Sequence, residues 1–437
     1  MKKIILIALA GLFSIVIQET FAQNKSQIQT AADSLKAKAL LQFKKEDYNA
    51  AVGMMEEALK LNPKDPEIYY YLGYFNHYRA YDSRPLTGYN PVYSEKIFAY
   101  LDKAIELRPD YGNARYFYGA ECSANAFLAM QRKSPSDVSR YYKKAFDKGA
   151  FPPWLLEFGR NFLNSCEQDA IVFTGGNNDF DVCMYLMLHE NMRKDITLIP
   201  IGNIDRPWYV KLLKNGLPGV IRKVNISLTY DQIDDIHPFK WDTTLVEIPV
   251  PAGVASLFKE AGLRTMKWQI NPDLVSNRDK QEDQAKKRTF LSPQRGILLT
   301  IIESCKWERP VFISNAANSE LNGGLEQFLQ NRGLLSKVLS VPVAGTPDED
   351  DITQLEKLIS APNFKDFRSV LNSDMPRISG ILMLYHISCV KMAYRYAAEG
   401  DKLKARETES FYKIWFDIGF NKEQTMNYFS MIHNLIL

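Results

Sequence analysis

The sequence predicts an α/β domain with a helical region on either side of it along the chain. Amphipathic helical pairs repeat near the N-terminus, short β-branched runs alternate with helices through the centre, and helical periodicity returns towards the C-terminus. We therefore assign residues 33–150 to helical repeats, 155–345 to an α/β domain with a mainly parallel sheet, and 346–437 to a C-terminal helical region.

Residues 1–22 have the pattern of a cleavable secretory signal peptide. Lys2 and Lys3 precede an apolar run from Ile4 to Ile17, and small residues lead to Ala22. The run is shorter than the roughly 20 residues that a membrane-spanning helix needs. We expect a protein exported to the periplasm of a Gram-negative bacterium, with no transmembrane segment after signal cleavage.

Charge and residue spacing exclude several classes of function. The formal net charge is +3 over 437 residues, and such near-neutrality argues against binding to nucleic acid or to a membrane surface. The five cysteines form no CxxC pair, and the five histidines are far apart in sequence. The chain contains no GxSxG or HExxH motif. We therefore expect neither a cofactor nor a metal site, and no enzymatic activity.

The first helical pair has the spacing of the tetratricopeptide repeat (TPR). Residues 33–66 predict two amphipathic helices joined by a short turn. Small residues and a helix breaker occupy the positions at which TPR helices touch: Ala39, Ala51, Ala58 and Pro63. Gly73 follows Ala39 by one repeat period of about 34 residues. This spacing predicts stacked helical hairpins.

An insertion interrupts the second repeat. The segment Ala104–Pro109 matches Ala58–Pro63 at an offset of 46 residues, and Gly119 follows Gly73 by the same offset. This offset is one repeat period plus about twelve residues. A third helical pair should then end near residue 145, which gives the three repeats that a continuous stacked core requires.

A row of tyrosines in the second repeat is the candidate surface for a protein partner. It contains more aromatic residues than one helix can bury on a single face, and those left outside would form a groove for a peptide or a partner helix. The predicted partner-binding residues are Tyr70, Tyr74, Tyr78 and Tyr81. Two alternatives stay open: the repeats pack only against the rest of this chain, or the insertion between Tyr81 and Tyr93 covers the row.

The central region predicts strands connected by helices. The strand candidates are AIVFT, DITLIPI, TLVEIPV and PVFISNA. The first two, with a helix between them, form a βαβ unit. Ser292 predicts the N-cap of a further helix that ends near Trp307. In the C-terminal region, the turn signal Glu399-Gly400-Asp401 predicts another TPR-like pair.

Polar residues follow each of the first two strands. Gly175 and Gly176 provide a turn, but there is no GK[ST] or GxGxxG pattern, and Asp179 would place the protein's own carboxylate at the anion site, so nucleotide binding is not expected. Either Asn178 or Asp179 caps the helix, or this edge of the sheet forms a polar pocket for a sugar or a peptide end, with Trp208 stacking on the ring. The residues of this candidate pocket are Thr174, Gly175, Gly176, Asn177, Asn178, Asp179, Asn203, Asp205 and Trp208.

Four segments, in order, resemble the soluble C-terminal region of a family of large bacterial multi-pass membrane proteins. They are NFLNSCEQDAIVFTGGNNDFDVCMYLM, RKDITLIPIGNIDRPWYVKLL, IIESCKWERPVFISNA and GLEQFLQNRGLLSKVLSVPV, and the resemblance covers residues 155–420. The family looks like glycosyltransferases related to a eukaryotic protein O-mannosyltransferase. Its loop reads more like Gly-Asp-Asn-Asp-Thr-Phe, whereas this chain has Gly176 and Asn178 where acidic residues are expected. Because the resemblance places catalysis in the membrane part of such proteins, it implies an accessory soluble module here.

The sequence as a whole predicts a non-catalytic, TPR-containing protein of the cell envelope that binds a protein partner as a scaffold or accessory subunit. The alternative is a glycan-binding or small-ligand-binding protein, or a glycosylation-related enzyme, that uses the pocket at the carboxyl ends of the strands.

Overall fold

The computed structural model describes residues 29–81, 88–237, 239–240, 244–257, 264–271, 290–370, 374–416 and 433–434. The predicted signal peptide, the centre of the insertion and the charged run at 276–288 lie outside these residues. The described residues form two compact units. The first contains the residues up to Asn125 together with Lys148–Ala150, and the second contains Ala126–Asp147 and the residues from Phe151 onward. The domain boundaries given above stay a prediction.

The first unit is helical. Its helices are α1 (29–44), α2 (Tyr48–Leu61), α3 (Pro66–Tyr81), α4 (Ser94–Leu107) and α5 (Gly112–Gln131), of which the residues from Ala126 belong to the second unit. Asp47 caps α2, because its side chain accepts a hydrogen bond from the Ala50 backbone N–H at 3.0 Å.

The small residues of the predicted repeat lie where helices touch. Ala39, Ala51 and Ala58 are fully buried in one apolar cluster. At Gly73, an added Cβ would lie 2.6 Å from the Leu101 side chain, a separation that real contacts do not reach. A larger residue at this position would have to displace the Leu101 side chain, so the glycine favours the close packing of α3 on α4 that the TPR spacing predicts.

In the second unit, helices precede, separate and follow the strands along the chain. They are α6 (Pro135–Asp147), α7 (Pro153–Asn164), α8 (Val182–His189), α9 (Pro207–Asn215), α10 (Tyr230–Asp234), α11 (Ala252–Leu257), α12 (Pro293–Ser304), α13 (Ile352–Leu358), α14 (Met375–Ala398) and α15 (Lys402–Phe416). The predictions for α12 and for the C-terminal pair are confirmed: Ser292 is the N-cap of α12, and Gly400 turns the chain between α14 and α15 with φ +85°.

The central sheet has the order β2-β1-β7-β9-β8. Its strands are β1 (Ile171–Thr174), β2 (Thr197–Pro200), β7 (Val311–Ser314), β8 (Leu329–Asn331) and β9 (Leu335–Val338). Strands β2, β1 and β7 are mutually parallel and fully buried, as expected for a sheet covered on both faces, and β9 and β8 add an antiparallel edge. The predicted α/β class with helical ends is confirmed.

Two small antiparallel sheets complete the described strands. One pairs β3 (Phe239–Lys240) with β6 (Phe290–Leu291), and the other pairs β4 (Thr244–Pro249) with β5 (Thr265–Ile270). The predicted strand TLVEIPV therefore forms, but it lies in the second of these ribbons and not in the central sheet. None of the helices in the described ranges is long and apolar enough to cross a membrane.

Arg193 ties the amino end of the central sheet to the end of α7. Its guanidinium donates hydrogen bonds to the backbone carbonyls of Leu163 (2.8 Å), Cys166 (2.9 Å) and Glu167 (2.8 Å), and to the Asp195 carboxylate at 2.9 Å. The bond from Arg193 lowers the pKa of Asp195 to about 2. One side chain thus donates to three backbone carbonyls at the end of α7 and in the loop that follows it.

Candidate functional site

The glycine turn after β1 is filled by the protein's own carboxylate. Asp179 is buried in a short π-helical segment, Asn177–Asp181. Its Oδ2 accepts a hydrogen bond from the Gly175 N–H at 2.8 Å, and its Oδ1 accepts one from the Gly176 N–H at 2.9 Å. Burial raises the pKa of Asp179, and the hydrogen bonds from Gly175, Ser314 and Gly176 act in the opposite direction. The backbone N–H groups that would hold a phosphate are therefore already occupied.

The loops after β1 and β7 touch at this turn. An added Cβ on Gly175 would lie 2.8 Å from the Ala316 carbonyl oxygen, so only glycine allows the two backbones to approach this closely. The Ser314 hydroxyl, at the end of β7, also bonds to Asp179. The turn is thus fixed from two strands.

The loop after β2 carries the second group of predicted residues. Asn203 ends a short 3-10 segment, and Asp205 accepts a hydrogen bond from Gln294, at the start of α12, at 2.8 Å. Burial raises the pKa of Asp205 above its ordinary value. Trp208 is partly exposed in the first turn of α9, and its ring meets Tyr209 edge-on at 5.4 Å.

The structure places both predicted groups at the carboxyl ends of neighbouring strands. Strands β1 and β2 are parallel, with Thr174 in register with Pro200, and the predicted residues follow each strand directly. Phe127 contacts the segment that follows each strand. Its ring centroid lies 5.5 Å from that of Phe180, after β1, and 6.0 Å from that of Tyr209 in α9, after β2.

Buried polar atoms without a hydrogen-bond partner occur in these two loops. They are Thr174 Oγ1, Asn178 Oδ1, Asp205 Oδ1 and the Tyr209 hydroxyl oxygen, of which Asp205 Oδ1 lies at ion-pair distance, 3.9 Å, from Arg206 Nε. Such atoms are rare in folded proteins and are usually satisfied by water or a ligand. Two are pure acceptors and two are hydroxyls, so the complementary group is a hydrogen-bond donor such as a hydroxyl. Within the described residues, no three His, Cys, Asp or Glu side chains lie together as metal ligands.

Sequence reasoning missed Tyr209. It is fully buried, and its ring is part of the apolar packing under α9, so in the sequence it is indistinguishable from an ordinary core aromatic. Its position directly after Trp208, in the first turn of a helix that follows a strand, was the available signal.

The tyrosine row of the first unit divides into buried and exposed members. Tyr70 is only 8% exposed, whereas Tyr78 is 40% and Tyr81 is 37% exposed. Tyr74 is partly buried, with ring centroids 4.8 Å from Phe43 and 4.5 Å from Phe117. Burial raises the pKa of Tyr70 and of Tyr74. The row therefore leaves Tyr78 and Tyr81 available to a partner, while Tyr70 belongs to the packing between helices.

A buried polar network beside these tyrosines was not predicted. The Glu121 carboxylate is completely buried and accepts hydrogen bonds from Ser94 at 2.6 Å, from Asn125 at 3.1 Å and from the Tyr89 hydroxyl. His77 Nδ1 lies 2.7 Å from the same carboxylate. This network fixes the end of the insertion, which supplies Tyr89, to helices α3, α4 and α5.

Comparison with known proteins gives partial matches to two groups. Residues 155–237 match the family described as TMEM260-associated domain 2. Protein O-mannosyl-transferase TMEM260 of Mus musculus is 34% identical over 64 residues, which is 15% of this chain and 9% of that protein. Interferon-induced protein with tetratricopeptide repeats 2 of Cricetulus griseus is 29% identical over 153 residues, or 32% of this chain and 31% of that protein.

No solved structure matches the chain. The chain spans less than a third of the length of either of these relatives. Together these similarities confirm the resemblance to TPR proteins and to a protein O-mannosyl-transferase. The chain is similar to TMEM260-associated domain 2 over residues 155–237, and over parts of its length to a protein O-mannosyl-transferase and to a protein with tetratricopeptide repeats.

Proposed function

We propose that this chain is a non-catalytic scaffold or accessory subunit of the cell envelope that binds a protein partner through the first unit. The observation that carries the proposal is the exposure of Tyr78 and Tyr81 on a TPR-like array. We call these two side chains the tyrosine surface. Tyrosine is enriched at the energetic centres of protein interfaces, because it buries a large area at little entropic cost.

The tyrosine surface is held in place before a partner arrives. The ring of Tyr78 lies 5.0 Å from Tyr74 and 5.3 Å from Phe43, and that of Tyr81 lies 5.3 Å from His77 and 5.1 Å from Tyr89. Since His77 and Tyr89 both contact the buried Glu121, the polar network restrains Tyr81 from two sides. Side chains that are ordered in advance lose less entropy on binding, which favours affinity.

Two further observations support the cellular setting and the absence of catalysis. The N-terminal residues have the pattern of an export signal, which favours the periplasm. Within the TMEM260-associated domain, the Asp179 carboxylate bonds to the backbone of its own loop, so it is engaged in structure and not presented to a substrate. The accessory role implied by the family resemblance is in accord with this arrangement.

The partner is tested by crosslinking in intact cells followed by mass spectrometry of proteins bound to a tagged chain. We expect the double variant Tyr78→Ser, Tyr81→Ser to lose at least about tenfold of one defined envelope partner, since truncation of central tyrosines typically costs more than 1 kcal/mol each. Tyr394→Ser is the matched control, because Tyr394 is a 51% exposed tyrosine of the second unit. Identical partner sets for the wild type and the double variant would overturn the proposal.

A second function, binding of a hydroxyl-rich ligand at the carboxyl ends of β1 and β2, is favoured by the unsatisfied oxygens of Thr174, Asn178, Asp205 and Tyr209. A sugar would supply donors to these atoms and a face to Trp208. We expect glucose or N-acetylglucosamine to raise the melting temperature of the wild type and of Tyr394→Ala, but not of Trp208→Ala. If neither sugar moves the wild-type melting curve, this second function is wrong for both ligands.

A further inference from the structure

One face of α7 carries three polar side chains that point at the C-terminal helical region. Trp154, Glu157 and Asn161 are spaced three and four residues apart and are all buried, which places them on a single stripe of the helix. Helix α7 begins just before the TMEM260-associated domain at 155–237. The stripe therefore joins that domain to the segments that follow the sheet.

The two outer residues of the stripe make well-satisfied contacts. The Trp154 indole N–H donates to Asp374 at 3.1 Å, and Asp374 also pairs with Arg377 of α14 at 2.5 Å. The Asn161 side-chain N–H group donates to the Asn363 carbonyl at 2.8 Å and to the Tyr385 hydroxyl oxygen at 2.9 Å. The side-chain N–H groups of Trp154 and Asn161 therefore all have acceptors.

The central residue is satisfied on only one side. Glu157 Oε2 accepts hydrogen bonds from the backbone N–H groups of Asp366 at 3.1 Å and Phe367 at 3.2 Å. Both belong to the 3-10 segment Ala361–Ser369, whose Phe364 and Phe367 rings pack on Tyr385 at 4.8 and 5.1 Å. The other oxygen, Oε1, is buried without a hydrogen-bond partner. An ionised carboxylate in this position would keep half of its charge unsolvated.

The charged groups near Glu157 do not neutralise it. From the 3-10 segment, the backbone N–H groups of Asp366 and Phe367 and the Lys365 ammonium favour the ionised form, whereas the Asp366 carboxylate disfavours it. Tyr385 is an uncharged phenol whose pKa burial raises further, and Arg377 is engaged by Asp374. On α7 itself, Arg160 pairs with Glu190 at 3.0 Å. Burial is the largest effect and raises the pKa of Glu157 to about 7.

We propose that Glu157 is a proton-operated latch, which holds the segment Ala361–Ser369 on α7 when it is protonated and loosens that segment when it is ionised. The sign follows from burial. A carboxyl group whose pKa is higher in the closed form than in the open form stabilises the closed form fully below the ordinary pKa of about 4.3. That stabilisation is lost as the pH rises towards 7. Opening would uncover Phe364 and Phe367, which are now buried, and so make an apolar surface available at neutral and alkaline pH.

Hydrogen exchange of the amides that bond to Glu157 tests the latch directly. We expect the protection factor of a peptide spanning 361–369 in the full chain, corrected for intrinsic exchange, to fall by about thirtyfold between pH 5.5 and pH 8. Glu157→Gln mimics the protonated form and should keep the low-pH protection at both values. Glu190→Gln, which changes an exposed carboxylate next to α7, should retain the wild-type fall.

Three results would overturn the latch. They are equal protection of the wild-type peptide at the two pH values, a fall of the same size in Glu157→Gln, and an equal fall in a peptide from α12. The last result would reveal global rather than local opening. The comparison of the 361–369 peptide with the α12 peptide uses the wild-type chain alone. It therefore distinguishes local from global opening even if Glu157→Gln does not fold.

Discussion

Replacement of Arg193 by alanine is expected to destabilise the second unit by about 3 kcal/mol. The substitution removes hydrogen bonds to the carbonyls of Leu163, Cys166 and Glu167, and leaves the Asp195 carboxylate with the Asp169 backbone N–H as its donor. Partly buried acceptors that lose a charged donor cost about 1 to 3 kcal/mol each when water does not replace it, and partial hydration of this site reduces the sum. The lost contacts lie beside the amino ends of β1 and β2, far in sequence from β7, β8 and β9 of the same sheet.

Tryptophan fluorescence measures the unfolding of the second unit without a contribution from the first. All six tryptophans lie in the second unit, so urea unfolding followed by their emission reports on that unit alone. Arg160→Ala is the matched control. The side chains of Arg160 and its partner Glu190 are 36% and 35% exposed. An exposed ion pair contributes less than about 1 kcal/mol. A midpoint for Arg193→Ala that equals that of Arg160→Ala would contradict the structural role assigned to Arg193.

The regular elements could be predicted because their signals are local. Each strand of the βαβ unit is a short β-branched run, and the helix α12 carries its N-cap and a first-turn proline in sequence. The role of Arg193 has no such signal. It depends on a positive φ of +44° and on carbonyls of a loop some 30 residues earlier in the chain, and neither can be inferred from the neighbours of Arg193.

The tyrosine row illustrates a second limit. Tyr70, Tyr74 and Tyr78 lie on one helical stripe, yet their exposure increases along it from 8% for Tyr70 to 40% for Tyr78. Phe117 contacts all three rings, so the difference arises from Tyr111, whose ring lies 5.1 Å from that of Tyr70. Because α3 is aromatic on every face, its periodicity could not distinguish the members that pack from those that stay outside.

The polar network around Glu121 was hidden for a similar reason. His77, Tyr89 and Ser94 precede Glu121 by 27 to 44 residues, and each taken alone is unremarkable in a helix or loop. A buried glutamate in a helical repeat usually requires partners. The sequence offers many candidate partners, and only the packing of α3 against α4 and α5 selects these.

Asp179→Ala is expected to reduce the stability of the second unit by about 2 to 4 kcal/mol, whether or not any ligand is present. The substitution leaves the N–H groups of Gly175 and Gly176 and the Ser314 hydroxyl without their acceptor, and each unsatisfied buried donor costs about 1 to 3 kcal/mol. Relief of the buried charge offsets part of this loss. Urea unfolding followed by tryptophan emission gives the value.

Asn177→Ala is the matched control for Asp179→Ala in the glycine turn. Asn177 is exposed beside Asp179, so a loop that is only a tight turn should tolerate its replacement within about 0.5 kcal/mol. If Asp179→Ala retained wild-type stability, its carboxylate would not be holding the turn, and a role towards a ligand would become the better explanation. A large loss of stability for Asp179→Ala with none for Asn177→Ala would instead mean that the carboxylate takes the place that a phosphate occupies in nucleotide-binding loops. A glycine turn at the end of a parallel strand can then exist without a nucleotide, because the protein supplies the anion itself.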